Sequence, residues 1–237
     1  MKNLMIALVG TSILFSACKK EVIKPSSDIT SMERYVDEFI GVDVSEAMEV
    51  TITYSNNEQK VVVEANSNVH SYVLTEVVGG KLKISMKDNV IFRKNATIKV
   101  HVTLPEIVFL KASGASEVTF TNQIEANHIE IDASGASEIS GSLNAASTSI
   151  KLSGASEVNF QGASNLATFN LSGASKFESF SFHTNDLNVD LSGASEAFVR
   201  VNNNLNLVAS GASEFHYSGN CSIGELNLSG SSTIQKH

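Results

Sequence analysis

Seven near-identical tetrapeptides constrain this chain more than any other feature of it. Ser-Gly-Ala-Ser begins at Ser113, Ser134, Ser153, Ser172, Ser192 and Ser210, and Ser-Gly-Ser-Ser at Ser229, with spacings of 21, 19, 19, 20, 18 and 19 residues. Take the first serine of each copy as position zero. Position −3 then reads Leu110, Ile131, Ile150, Phe169, Val189, Leu207, Leu226, and position +5 reads Val118, Ile139, Val158, Phe177, Ala197, Phe215, Ile234. Position −1 is Ala or Leu throughout, while position −2 is polar in every copy but Val208. Alternation with a period of two is a strand signal, so each repeat carries one strand before the tetrapeptide and one after it. Glycine stands at +1 in all seven (Gly114, Gly135, Gly154, Gly173, Gly193, Gly211, Gly230), as at a corner where φ is positive or a Cβ would clash. One such repeat cannot bury its apolar residues, but stacked coils can. The expectation is an all-β fold: a single elongated parallel β-helix, or solenoid, of about seven short Ser-Gly-Ala-Ser coils, each climbing ~4.8 Å.

The block from −5 to +7 aligns without gaps, and the remaining residues of each repeat absorb the length variation, as surface loops do. Stacking places like over like, so the serines at 0 and +3 are expected to form hydroxyl ladders. Position +4 reads Glu117, Glu138, Glu157, Lys176, Glu196, Glu214, Thr233. Carboxylates stacked ~5 Å apart repel by roughly 1 kcal/mol per pair in water, so this column is expected on the surface, with Lys176 relieving its middle. It reads either as a solvated face or as a ligand- or cation-binding ladder, and Glu117, Glu138, Glu157, Lys176, Glu196 and Glu214 are the candidate exposed ligand face.

Residues 33–105 lack the motif, and 106–237 hold the repeats. In the first part, Val50–Tyr54 and Lys60–Glu64 read as two strands around a turn, Asn68–Val78 as a short helix ending at Gly79-Gly80, and Lys81–Met86 and Thr97–Leu104 as strands. With no linker between the parts, 33–237 reads as one β-helical domain whose first part is an irregular, longer-stranded cap. Polar residues at Gln235-Lys236-His237 would guard the far end from edge pairing.

The N-terminus addresses the chain. A single Lys2 precedes an apolar run from Leu4 to Phe15, too short for a permanent span of ~20 residues but of signal-peptide length. It ends in Ser16-Ala17-Cys18, which resembles a bacterial lipobox. Residues 1–17 are then a lipoprotein signal peptide, Cys18 the lipidated residue, and 18–32 a flexible tether. Acyl chains at ~0.8 kcal/mol per buried methylene anchor such a protein. Lys19 is not the Asp that, by resemblance to known sorting rules, retains lipoproteins in the inner membrane. The expected location is the outer membrane, facing periplasm or cell surface. Cys221 has no partner left and reads as a small apolar filler.

The chain has 17 basic and 25 acidic residues, a net charge of −8. Residues 1–105 balance at 12 of each, so the whole excess lies on the repeats, with 5 basic and 13 acidic residues. A nucleic-acid partner needs the opposite sign.

The lipobox at Cys18, the run Leu104-Pro105-Glu106-Ile107 and the repeated Leu110-Lys111-Ala112-Ser113-Gly114-Ala115-Ser116-Glu117-Val118 together resemble the putative auto-transporter adhesin head GIN domain family of Bacteroidetes-type lipoproteins, over about residues 34–237. The resemblance implies a β-helical fold and surface or periplasmic placement. It brings no catalytic residues.

The residues themselves point to no catalysis. The six histidines, His70, His101, His128, His183, His216 and His237, show no metal-ligand spacing with each other or with Cys, and each reads as a surface or strand-edge residue. Ser-Gly-Ala-Ser lacks the second glycine of a nucleophile elbow, and no Walker or dinucleotide fingerprint occurs. Neither a metal nor a cofactor is expected. The reading is a lipid-anchored, non-catalytic head that binds a glycan or protein ligand, an adhesion module. The alternatives are an envelope spacer without a ligand, and a polysaccharide lyase or hydrolase. For a sugar site, Phe180, Phe198 and Tyr217 would supply aromatic platforms, and Asp186 and Asp190 would act beside Arg200 if adjacent coils align. An ice-binding hydroxyl surface is a remote fourth reading.

Overall fold

The computed structural model describes residues 20–237, and no helix occurs among them. The tetrapeptides stack. At each corner the alanine N–H at +2 donates to the glycine carbonyl of the coil below, at 2.7 Å from Ala136 on Gly114 through Ala212 on Gly193. The corner glycines have φ of 70–81°. A Cβ placed on Gly154 would lie 2.6 Å from the Gly135 carbonyl oxygen, and every corner from Gly135 upward repeats that clash within 0.1 Å. Glycine is thus required twice over, by handedness and by the floor beneath it.

Between corners the chain is more regular than expected. Strands β11 (Glu117–Ala133), β12 (Glu138–Leu152), β13 (Glu157–Leu171), β14 (Lys176–Leu191) and β15 (Glu196–Ala209) each run almost from one corner to the next. They pair in parallel, with Val118 on Ile139 on Val158 on Phe177 on Ala197. The last coils are closed by β16 (Glu214–Ser218), β17 (Ser222–Leu228) and β18 (Thr233–Lys236). The length-variable segments are therefore not loops. Gln123–Ala126 pairs with Ser142–Ala145, and Ile124 and Leu143 point inward without exposure. A third wall lets those backbone groups join the ladder instead of seeking water, and length differences are taken up as register shifts, as between Glu178 and His183.

The apolar columns are the core. Residues at −3 and +5 are buried in every coil up to Phe215, and Phe169, Phe177 and Phe182 meet at centroid distances of 4.5–6.5 Å. The final coil differs, since Ile223, Leu226 and Leu228 are 41–43% exposed. Polarity at Gln235-Lys236-His237 therefore describes only part of that end. The serine columns are not hydroxyl-to-hydroxyl ladders. Those at +3 are buried from Ser116 through Ser213, and all but Ser175 donate to backbone carbonyls. Ser156 Oγ, for example, reaches the Ser153 carbonyl at 3.0 Å and the Ala133 carbonyl one coil down at 3.1 Å. Corner carbonyls are fixed acceptors at a fixed distance, so they outcompete a neighbouring hydroxyl.

The cap corrects the sequence reading most. Before the motif begins, β3 (Gly41–Val44) and β4 (Glu49–Tyr54) already form a coil of the same shape, continued by β10 (Phe109–Ala112) beside β3 and by β11 beside β4. Its corner is Ser45-Glu46-Ala47-Met48, with Met48 buried where the repeats hold serine. The chain then drops below this coil. β5 (Lys60–Asn66), β6 (Val73–Val78), β7 (Lys81–Met86) and β9 (Ile98–Leu104) form a floor, with β7 parallel to β3 and β9 parallel to β4. The expected helix at 68–78 is instead a turn followed by β6, which returns antiparallel onto β7 through Gly79-Gly80, both at positive φ. Val73, Val77 and Val78 favour extended backbone, and paired left-handed residues make the two-residue hairpin turn. β4 and β5 are not a hairpin either, since β9 lies between them. The expected tether also orders early. β1 (Glu21–Ile23) pairs with β8 (Val90–Phe92), and β2 (Ile29–Arg34) adds antiparallel to β5. The signal segment and Cys18 lie outside the described residues.

Candidate functional site

The side chains at +4, +6 and +8 leave one wall of the solenoid outward, because strand parity alternates and +5 and +7 point in. Register confirms the acidic column: Glu117, Glu138, Glu157, Lys176, Glu196, Glu214 and Thr233 are successive neighbours. It begins earlier than the motif shows, for Glu49 lies beneath Glu117 and Lys99 beneath Glu49. The Lys99 ammonium meets Glu49 at 2.8 Å. The degenerate corner before Glu49 hid both residues from a motif search. Lys176 relieves the stack asymmetrically. It donates to Glu178 at 2.8 Å and approaches Glu196 at 3.4 Å, while Glu117, Glu138 and Glu157 hold no ion pair among the described residues. Its ammonium pKa is raised, chiefly by the hydrogen bond it donates to Glu178.

The +6 column changes character along the stack. It carries His101, Thr51, Thr119, Ser140 and Asn159 toward the cap, then Glu178, Phe198 and His216. Here Phe180 and Phe198 do come together, in edge contact at 5.6 Å. His216 stacks flat on Phe198 at 4.4 Å and 5°. His237 lies 5.2 Å from His216 and 5.3 Å from Phe180. Four rings thus close into one cluster, capped by the Lys176 ammonium 5.2 Å from the Phe198 ring. Phe180 is 38% exposed. The ring faces are largely spent on one another, so this is an aromatic ladder with an exposed edge, not the open platform expected for a sugar.

Other expected groupings do not form. Tyr217 is a buried +7 residue, and burial raises its phenol pKa. Arg200 pairs in register with His183 and Ser218, whereas Asp186 lies beside Asn204 and accepts its amide at 2.7 Å. Asp190, farther along the same ladder as Asp186, lies beside Asn170 and Val208. His70, expected at the surface, is buried under β2, where it meets the Thr30 hydroxyl at 2.9 Å. The meeting of His216 with His237, Nδ1 to Nε2 at 3.0 Å, was missed because their spacing of 21 residues is one coil plus two positions, which no local metal motif contains. Cys221 packs against the core as a filler, with its thiol pKa raised by burial.

Comparison with known proteins follows this geometry. A family model described as putative auto-transporter adhesin, head GIN domain, matches residues 38–221. No functionally curated protein matches. Among solved structures, a putative adhesin from Bacteroides fragilis is similar with a TM-score of 0.86 at 18% identity, covering 91% of this chain and 100% of its own. A putative lipid binding protein from Parabacteroides distasonis gives 0.77 at 19% identity, with coverage of 92% and 100%. A putative adhesin from Parabacteroides merdae gives 0.70 at 14%, with coverage of 92% and 99%. At these identities the solved structures establish the fold.

Proposed function

We propose that this chain, which belongs to the auto-transporter adhesin head GIN domain family, is a lipid-anchored envelope protein whose solenoid is a non-catalytic binding head, an adhesion module. The observation that carries this reading is where the repeat is broken. In a solenoid the repeated residues build the wall, and here they are consumed by it. The +1 glycines bear the next coil, and the serines hold carbonyls. The departures between +4 and +8 form one outward strip, where Lys176, Glu178, Phe180, Phe198 and His216 lie side by side and Glu178 and Phe180 are exposed. Aromatic edges flanked by charge suit a partner surface. A lipidated Cys18 would hold this strip at the envelope, consistent with a family described as adhesin-like.

An extended contact fits better than a catalytic cleft. The hollows bordering the repeats hold about 200 and 160 Å³, below the ~300–1,000 Å³ of small-molecule sites. Hollows of about 690, 620 and 380 Å³ lie in the cap: the first has one carboxylate, Glu46, committed to the Met86 N–H at 2.6 Å, the second is lined by none, and the third has Asp37 and Glu76 with no basic residue in its lining.

The test uses the full chain in mild detergent against a glycan array and a panel of extracellular-matrix proteins. Saturable binding should appear and fall at least tenfold in Phe180→Ser, or in Glu138→Lys with Glu157→Lys. If nothing on either panel binds saturably, the spacer reading replaces adhesion. Release of unsaturated or reducing sugar ends would instead establish an enzyme.

A further inference from the structure

The geometry points to a transition-metal site on this wall, formed by Glu196, Glu214 and His216 with His237 behind it. We propose that it takes a borderline divalent ion of the Zn²⁺ class. Glu196 and Glu214 are register neighbours on β15 and β16, and His216 is two residues beyond Glu214 on the same outward face. His216 Nε2 lies 3.3 Å from Glu214 Oε2 and 3.9 Å from Glu196 Oε1, and one donor atom from each residue lies within 4.8 Å of the others. Ligands bonded at ~2.0–2.2 Å in a tetrahedral shell stand ~3.3–3.5 Å apart, so sub-ångström side-chain shifts bring the three donors onto one ion.

Two features separate this arrangement from a chance meeting of acids. First, the imidazole is held in place. Its ring is stacked on Phe198, and its side chain is only 12% exposed. Second, its other nitrogen already has a polar partner, the His237 ring. In one tautomer Nε2–H donates to Glu214 Oε2 at 3.3 Å; in the other Nδ1–H donates to His237 Nε2 at 3.0 Å and frees the Nε2 lone pair for an ion between the two carboxylates. A bond donated by the second ring nitrogen is the outer-shell device that fixes tautomer and ring orientation in metal sites. Glu214 is 54% exposed, which leaves one side of the ion open to water or a ligand. An imidazole donor favours Zn²⁺, Cu²⁺ or Ni²⁺ over Ca²⁺ and Mg²⁺, which prefer oxygen shells. This assignment does not depend on the adhesion reading.

The test is calorimetric titration with ZnCl₂ of the full chain, purified without a histidine tag and stripped with chelator. One ion per chain should bind, and millimolar Ca²⁺ should not displace it. Glu214→Gln changes an exposed side chain and His216→Gln a stacked one, so circular dichroism accompanies both. Each should weaken binding by well over tenfold, and His237→Ala by about tenfold, as outer-shell losses do. His128→Gln, on a different wall and bonded to Ser147, should change nothing. Cobalt substitution gives a readout that does not need the variants, namely visible absorption of a low-coordinate ion in the wild type. Absence of stoichiometric binding, or wild-type affinity in a folded Glu214→Gln or His216→Gln, overturns the proposal.

Discussion

Two corners of this molecule have the same shape and opposite sequence rules. In the repeats, the corner residue at +1 is always glycine. In the cap coil, the matching residue is Glu46, at φ 67°, followed by Ala47 at φ 43°. The difference is what lies underneath. Beneath each repeat corner from Gly135 upward is the glycine carbonyl of the previous coil, 2.5–2.6 Å from any added Cβ, while Gly114 rests on Glu46, whose N would lie 3.1 Å from a Cβ. Beneath Glu46 is the hollow lined by Met86 and Phe92, because β7 ends and leads away. The local backbone tolerates a side chain at a strain of about 1–3 kcal/mol, whereas the stacked floor does not tolerate it at all. Repetition in this chain is thus a record of what each coil rests on.

Reciprocal substitution tests that comparison most sharply. Gly154→Ala should destabilise by roughly 3–5 kcal/mol, combining left-handed strain with overpacking against backbone that cannot move alone. Glu46→Gly should stay within about 1 kcal/mol, since relief of strain offsets the lost bond to Met86. Chemical denaturation followed by circular dichroism measures both. Equal losses would show that backbone handedness, and not the floor, dictates the glycines.

The position two residues later carries the contrast inward. Ser156 and Met48 occupy the same buried place in their coils. Met48→Ser should lose about 3 kcal/mol, because a methionine-sized space is left in the cap. Ser156→Ala should lose about 1–2 kcal/mol, as two carbonyls lose a donor. A larger loss from the serine than from the methionine would mean that the hydroxyl column, and not the apolar columns, holds the stack together.

The same contrast explains what could be read in the sequence. Stacking imposes identity at 0, +1 and +3 and apolar character at −3 and +5, so the coils, their order and the outward Glu column were legible. The cap was not, because its coil obeys the geometry without the consensus and its floor is inserted out of order, β7 and β9 following β4 in sequence but lying beneath β3 and β4. Local propensity also misled at 68–78, where a hairpin between neighbouring strands overrode a helix reading. On the functional wall, Phe180 and Phe198 were recognised as outward. Their closure with His216 and His237 depends on a register shift near Phe180 and on an offset of two positions between the histidines, and neither leaves a periodic trace.

The smallest expected effect lies on the Glu column, where cap and repeats again differ. Lys99 lies below Glu49, with Glu64 beyond it on β5, and Lys176 interrupts the column higher up, each lysine at 2.8 Å from a carboxylate. Lys99 stands between Glu49 and Glu64 but forms an ion pair with Glu49 alone, whereas Lys176 stands between Glu157 and Glu196 and forms ion pairs with both Glu196 and Glu178. Lys176→Met should therefore cost about 0.5–1 kcal/mol at low salt, and Lys99→Met less, both shrinking as salt screens the column. The Lys176 ammonium is held above its ordinary value of 10.5, chiefly by Glu178 and then by the charge on Glu196. Its contribution is therefore complete below pH 10.5 and fades as pH rises through the raised value, so the gap between wild type and Lys176→Met should close there. Thermal melts at two salt concentrations and across that pH range measure the effect. A gap that ignores both salt and pH would assign Lys176 a packing role over the Phe198 ring instead of an electrostatic one.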